Sequence, residues 1–284
     1  MQPVEINLVP QATSDDQLIA LWLQGRSPHT QRAYEGDIRR LRRIIPKPLA
    51  ALTLADLHRF TDSLASLQPS SRYRVMSAVK SLLAFGLRIG YLSFDAGSLL
   101  RLPPVASRLA ERILEETEVR AMLHLETKPR NRLILTLLYA TGIRVSELCG
   151  LRWRHLQLAG DTAQITVTGK GGAARSIRLP VSVWELLRTT RGDAMADQPL
   201  FAAARGSALR PLTILRIVRA AALRAGITAP VSPHWFRHAH ASHALDRGAP
   251  LHLVQATLGH ASLTTTGRYL HARPQDSSGR FLGL

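Results

Sequence analysis

The sequence predicts a mainly α-helical protein with a small β-sheet, an α+β fold in two domains. Three observations carry that reading. Apolar residues recur at helical spacing through most of the chain. Strand character is confined to 164–168 and 175–179, on either side of Gly169-Lys170-Gly171-Gly172, which reads as a β-hairpin with a loose turn. The pair Pro103-Pro104 favours an extended segment and divides the chain. The expected division is an N-terminal helical domain over 1–102, a linker over 103–113, and a mixed C-terminal domain over 114–284 with a short tail.

Taken in order, residues 1–13 read as an extended lead. A helix is expected over about 15–24, opening on Asp15-Asp16. Ser27-Pro28 supplies an N-cap and a proline at the first helical position for a second helix. It runs to about Ile45 with Tyr34, Ile38, Leu41 and Ile45 on one face, and Pro46 and Pro48 end it. Thr53 and Asp56 give a third helix a start like a capping box. Pro69 opens a fourth, to about Ile89, where Arg72, Arg74, Lys80 and Arg88 stand beside Val75, Val79, Leu82 and Leu83. Such a helix is either a basic face for DNA or a solvated face. Beyond the prolines, helices are expected at about 116–125, 129–141, 144–150, 181–190, 211–225, 234–246, 250–258 and 262–270. Phe281-Leu282-Gly283-Leu284 forms an apolar tip on a polar tail.

With 284 residues, 45% of them hydrophobic, the chain can bury two ordinary cores. No stretch approaches the ~20 apolar residues that span a bilayer, and the start shows no secretory pattern. The single Cys149 excludes an intrachain disulfide and an all-cysteine metal site. A reducing compartment, the cytoplasm, fits. The 37 Lys and Arg against 20 Asp and Glu give a net charge of +17, which points to a polyanion, most simply nucleic acid. Residues 1–105 hold 13 basic and 8 acidic side chains and the remainder 24 and 12, so both parts are positive. Only four of the basic residues are Lys. Lysine can give up its proton where arginine effectively cannot. Lys170, in a glycine-rich turn, is therefore either an acid or an ordinary polar turn residue.

The chemistry concentrates near the carboxyl end. Ser232-Pro233-His234-Trp235-Phe236-Arg237-His238 is followed by Leu258-Gly259-His260 and by Thr264-Thr265-Thr266-Gly267-Arg268-Tyr269, with Arg144 upstream in Thr141-Gly142-Ile143-Arg144-Val145-Ser146-Glu147-Leu148. Breaking a phosphodiester needs a nucleophile, neutralisation of the charge that grows on phosphorus, and a proton for the leaving oxygen. Two guanidiniums offer forked donors matched to phosphate oxygens. His234 and Arg237 share a helix face and can reach one phosphate together. His260 can donate to the same phosphate. Tyr269 is the candidate nucleophile, with an ordinary pKa near ~10 that calls for a base or a positive pocket. His234 is the nearest candidate base, and Lys170 the candidate acid. A metal site built from His234, His238, His240 and His243 is a poor fit, because no Glu follows the first His as in a zinc-protease helix. No cofactor is expected. The Gly169-Lys170-Gly171-Gly172 turn lacks the spacing of a phosphate-binding loop.

These motifs, in this order, resemble the tyrosine recombinases of the phage integrase family, in the simple layout of the Xer-like members. The resemblance covers nearly the whole chain. It implies a SAM-like four-helix N-terminal domain that binds core DNA and a mixed catalytic domain, the two closing around the duplex. It implies that Arg144, Arg237 and His260 bind the scissile phosphate, that Glu147 supports Arg144, that Lys170 is the general acid, and that Tyr269 forms a 3′-phosphotyrosyl link. It further implies a homotetramer on two DNA sites from monomers or dimers when free, in some systems with a partner recombinase. After Arg237 this chain reads His238-Ala239-His240, where the family has His, a small hydroxylic residue and an aromatic. Contacts to DNA are expected from Arg72, Arg74 and Lys80 and, within 205–224, from Arg216. The rival expectations are a type IB topoisomerase-like relaxing enzyme and a non-catalytic DNA-binding regulator on the same scaffold. A recombinase would work in the cytoplasm, on the nucleoid.

Overall fold

A computed structural model describes residues 11–104, 109–159, 162–169, 172–260, 262, 266, 267 and 269. The chain forms two compact units, Met1–Ala106 and Ser107–Leu284.

The first unit is built from α1 (Asp15–Leu23), α2 (Pro28–Ile44), α3 (Leu54–Ser63) and α4 (Pro69–Arg88). Their starts follow from local chemistry. The Ser14 and Ser27 hydroxyls accept from the Gln17 and Thr30 amides, meeting donors that a helix leaves unpaired at its first turn. Thr53 and Asp56 cap each other reciprocally. Proline opens α2 and α4, where its missing N–H costs nothing. Leu18, Ile38, Leu41, Leu57, Phe60, Val79 and Leu82 make the core, each no more than 1% exposed. Two basic residues of α4 make contacts within the unit. Arg74 pairs with the buried Asp37, and Lys80 Nζ donates to the carbonyls of Ser98 and Leu100 at 3.1 and 2.6 Å.

The second unit has a three-stranded antiparallel sheet, ordered β1-β2-β3, from β1 (Leu156–Ala159), β2 (Thr162–Thr168) and β3 (Ala174–Leu179). Helices α5 (Glu116–His124), α6 (Pro129–Thr141) and α7 (Val145–Gly150) precede it. Helices α8 (Val181–Arg191), α9 (Pro211–Arg224), α10 (Pro233–Asp246) and α11 (Leu251–Leu258) follow. Ala163, Ile165 and Val167 alternate inward along β2, and Ile165 faces Ile177 of β3 across the ladder. Helix α6 is buried along Leu133–Leu135 and at Leu137 and Leu138, and α10, with its buried Phe236 and Ala239, packs against it. The core of this unit lies between the inner face of the sheet and these helices.

Strand β1 is an addition to the expected hairpin. Its four residues, Leu156-Gln157-Leu158-Ala159, are too short a run to stand out, although Leu156 packs against the core while Leu158 is 67% exposed. The expected helix over 262–270, the N-terminal lead up to residue 10, part of the 103–113 linker and the apolar tail fall largely or wholly outside the described residues.

Candidate active site

Helix α6 ends at Gly142, whose φ of +58° is the left-handed conformation that glycine adopts most easily. The position is also tight: a Cβ there would lie 2.5 Å from Leu258 Cδ2 and 2.8 Å from His240 Cδ2. The turn delivers Arg144 to the N-cap of α7. Its amide donates to Glu147 Oε2 at 2.9 Å, its Nη1 to Glu147 Oε1 at 2.9 Å, and its Nη2 to the Gly259 carbonyl at 3.1 Å. The surface ion pair that this i,i+3 spacing allows is therefore present, but Glu147 is almost fully buried while Arg144 keeps a third of its side chain in solvent.

Glu147 has a second partner. Arg175, on β3, donates through Nη1 and Nη2 to its two oxygens at 2.9 and 2.8 Å, and through Nε to the Thr257 carbonyl at 2.8 Å. Burial alone would raise the Glu147 pKa. The hydrogen bonds from Arg175 and Arg144 outweigh it and hold the carboxyl at about 2. Sequence reasoning missed Arg175, although a signal existed. It lies in the same strand register as the buried Ile177 and Leu179, and a charge on an inward face requires a partner.

Arg237, on α10, is 4% exposed. Nη1 donates to the Gly142 carbonyl and Nη2 to the Leu258 carbonyl, both at 2.7 Å. Two helix C-termini thus fix the guanidinium, since α6 and α11 leave their last carbonyls unpaired. Burial, then the Arg144 charge, lowers its pKa to about 10. Five N–H donors are available to a guanidinium, so the group has capacity left for a phosphate.

His260 follows Gly259, the left-handed cap of α11. Its Nδ1 lies 2.8 Å from Thr266 Oγ1. Burial and then Arg237, Arg144 and Arg175 push its pKa down to about 4. A neutral ring whose Nδ1 accepts from the threonine carries its proton on Nε2, free to donate. His234, at the start of α10, has an exposed surface, yet partial loss of water followed by the charges of Arg237 and Arg144 also lowers its pKa.

Tyr269 is 5% exposed. Its ring stacks on His260 with centroids 6.5 Å apart and planes within 5°. Burial raises the phenol pKa against the pull of Arg237. The hydroxyl lies 2.8 Å from His238 Nδ1. The expected base, His234, is not the histidine at the phenol. The two histidines are one helical turn apart on one face of α10, ring centroids 6.4 Å apart, and the phenol meets the later one. His240 and His243 turn elsewhere: His240 Nδ1 is 2.8 Å from the Tyr139 carbonyl and His243 Nδ1 is 2.9 Å from the Tyr139 hydroxyl.

Arg144, Glu147, His234, Arg237, His260 and Tyr269 therefore share one charged neighbourhood, to which the sequence reading did not assign Arg175 and His238. Lys170 lies outside the described residues. Its predecessor Gly169 abuts the site: a Cβ there would be 3.6 Å from Glu147 Oε1 and 3.7 Å from Arg175 Nη1. An open cavity of about 350 Å³ runs beside Arg144, Glu147 and Gly169. Of the expected DNA contacts, Arg216 is exposed on α9 and Arg72 is partly buried on α4. Arg74 and Lys80 are held by Asp37 and by backbone carbonyls. No helix among the described residues is long and apolar enough to cross a membrane.

The pattern of the Phage integrase family matches residues 112–276, and that of the Phage integrase, N-terminal SAM-like domain matches residues 17–90. The tyrosine recombinase XerC of Pelobacter propionicus is 34% identical over 260 residues, covering 86% of this chain and 85% of its own. Among solved structures, the XerH site-specific recombinase bound to its difH substrate superposes with a TM-score of 0.71 at 23% identity, covering 95% of this chain and 84% of that one. A lambda integrase tetramer bound to a Holliday junction gives a TM-score of 0.76 at 20% identity, over 93% of this chain and 78% of that one. At those identities the structures speak to the fold.

Proposed function

The chain belongs to the phage integrase family and is a tyrosine-type site-specific recombinase, and we propose that it cuts and rejoins DNA with Tyr269 acting on a phosphate held by its own Arg144, Arg237 and His260. One observation carries the reading: a single chain brings the phenol, both guanidiniums and the neutral His260 into one pocket. On this reading the nucleophile acts in cis.

In the step, Tyr269 Oη attacks phosphorus, the bond to the 5′ oxygen breaks, and a 3′-phosphotyrosyl ester is left. Arg237, fixed by two carbonyls, and Arg144, fixed by Glu147, present N–H groups to the oxygens on which charge grows. Donors that are already oriented cost no reorganisation at the moment of reaction. His260 donates from Nε2, and His234 faces the same phosphate. Lys170 protonates the leaving oxygen. The ester keeps the energy of the broken bond, so a second 5′ hydroxyl reverses the step without ATP. A relaxing topoisomerase or a regulator without catalysis is not favoured, given the family match and the complete residue set.

The partner is double-stranded DNA carrying two recombination sites, joined by four copies of the chain, the stoichiometry solved for lambda integrase on a Holliday junction. The reaction takes place in the cytoplasm, on the nucleoid. Exposed Arg216, with Arg72, contributes to gripping the duplex.

The test is a nicked suicide duplex built on the site that the protein enriches from a random-sequence duplex pool. Wild type should trap an adduct that survives boiling in detergent, and Tyr269→Phe should trap none. An adduct formed equally well by Tyr269→Phe would refute the assignment.

A further inference from the structure

We infer that His238 is a catalytic residue, the base that takes the phenolic proton of Tyr269. The inference rests on the recombinase reading and adds a group to it. The contact is direct, since His238 Nδ1 lies 2.8 Å from Tyr269 Oη, within hydrogen-bond reach. The rings stand at 47° with centroids 5.7 Å apart, so the phenol meets the imidazole at an angle rather than lying flat on it.

The surroundings set the protonation state. His238 is faced by His234 and Arg237 on its own helix, by Arg112 from the segment before α5, and by His260 after α11. Burial first, then these groups, pushes its pKa down to about 4. The ring is therefore neutral at physiological pH and holds an open lone pair on Nδ1 when Nε2 carries the hydrogen. A seated DNA phosphate adds negative charge among these same groups. An opposite charge nearby favours the charged form of an imidazole. The acceptor thus gains basicity when substrate arrives.

The atoms balance. The Oη–H bond of Tyr269 breaks and its proton passes to His238 Nδ1. The Oη–P bond forms, the P–O5′ bond breaks, and the leaving 5′ oxygen takes a proton from Lys170. On rejoining, the His238 imidazolium returns its proton to Oη. Donors to the phosphate and the acceptor for the phenol are then separate groups on α10. Arg237 and His234 belong to the first task, and His238 to the second.

The test compares His238→Ala, His238→Gln and His234→Ala on the same suicide duplex across pH. It is paired with carbon-13 NMR of ring-labelled tyrosine, in which Tyr269→Phe identifies the Tyr269 signal. Glutamine can accept a hydrogen bond from the phenol but cannot take its proton. Both His238 variants should bind the duplex normally yet form adduct roughly 10²-fold more slowly near pH 7. The deficit should shrink as pH climbs toward the ionisation of the phenol itself. The Tyr269 carbon signal should move in His238→Ala and stay near its wild-type position in His238→Gln. A wild-type rate in His238→Gln would show that the residue only positions the ring, and would overturn the inference. So would a deficit that is constant with pH, or a pH-dependent deficit in His234→Ala alone. Failure of wild type itself to form an adduct would sink the recombinase reading and this inference with it. Normal wild-type reaction with unimpaired His238 variants would sink the inference alone.

Discussion

Arg175 grips both oxygens of Glu147 at 2.9 and 2.8 Å while its Nε holds the Thr257 carbonyl at the end of α11. One side chain of the sheet thereby ties together the carboxylate that orients Arg144 and the helix that leads into His260. In the proposed mechanism, Arg175 would hold this geometry without touching DNA itself.

Arg175→Ala should therefore damage both stability and rate. Removing one partner of a buried carboxylate costs about 3–5 kcal/mol when no other remains. Arg144 still pairs with Glu147, so a smaller cost, about 1–3 kcal/mol, is expected in urea denaturation. Adduct formation should fall by more than tenfold with little change in duplex affinity. Loss of affinity alone would contradict the positioning role.

Gly142→Ala tests the turn that carries Arg144. The added Cβ meets the fully buried Leu258 and forces an L residue to φ +58°. A cost of about 1–3 kcal/mol is expected from the backbone alone. The shift should also displace the carbonyl that fixes Arg237, lowering the adduct rate at least tenfold. Thermal melting and the suicide assay read the two effects separately.

The N-terminal unit and α9 should respond differently to loss of charge. Lys80→Ala removes a donor to two backbone carbonyls, so it should destabilise residues 1–106 by about 1–2 kcal/mol and leave the salt dependence of DNA binding unchanged. Arg216→Ala should leave stability unchanged and reduce the slope of log K against log salt by about 1. Equal slopes in both variants would rule out a phosphate contact by Arg216.

Acid should loosen the free protein before it protonates its carboxylates. The His238 pKa is depressed from its ordinary 6.5 to about 4 in the folded state. The unfolded chain therefore binds the proton more readily between those values. The stability this group contributes is full above pH 6.5 and is lost as pH falls toward 4. The loss is on the order of 3 kcal/mol. Melting temperatures measured from pH 7.5 to 4.5 should fall through this window, and less so in His238→Gln. The Glu147 contribution should persist until pH drops below its ordinary range, because its folded pKa is about 2.

The helices were legible because their punctuation is local. Ser27-Pro28, the Thr53–Asp56 box and Pro69 set starts that the structure reproduces within a residue or two. Strand β1 was not, since an alternation of only four residues is too short to set it apart from a loop. Arg144, Arg237, His260 and Tyr269 stood out by residue type and order. The partner of the phenol did not: His238 and Tyr269 are 31 residues apart, and which of two histidines on one face is met depends on how the chain after α11 returns. The partners of Arg74 and Lys80, a buried aspartate 37 residues away and two carbonyls about 20 residues on, are products of tertiary folding that a sequence pattern does not register.

The cage around Arg237 has an energetic side. A buried guanidinium whose pKa has fallen to about 10, set beside Arg144 and flanked by imidazoles kept uncharged, is a cluster of mutual repulsion that the fold holds shut. A phosphate entering it relieves that repulsion as well as making new bonds. With Arg144 and Arg237 holding the scissile phosphate as proposed, duplex DNA should shield this chain against heat more than its count of surface arginines suggests.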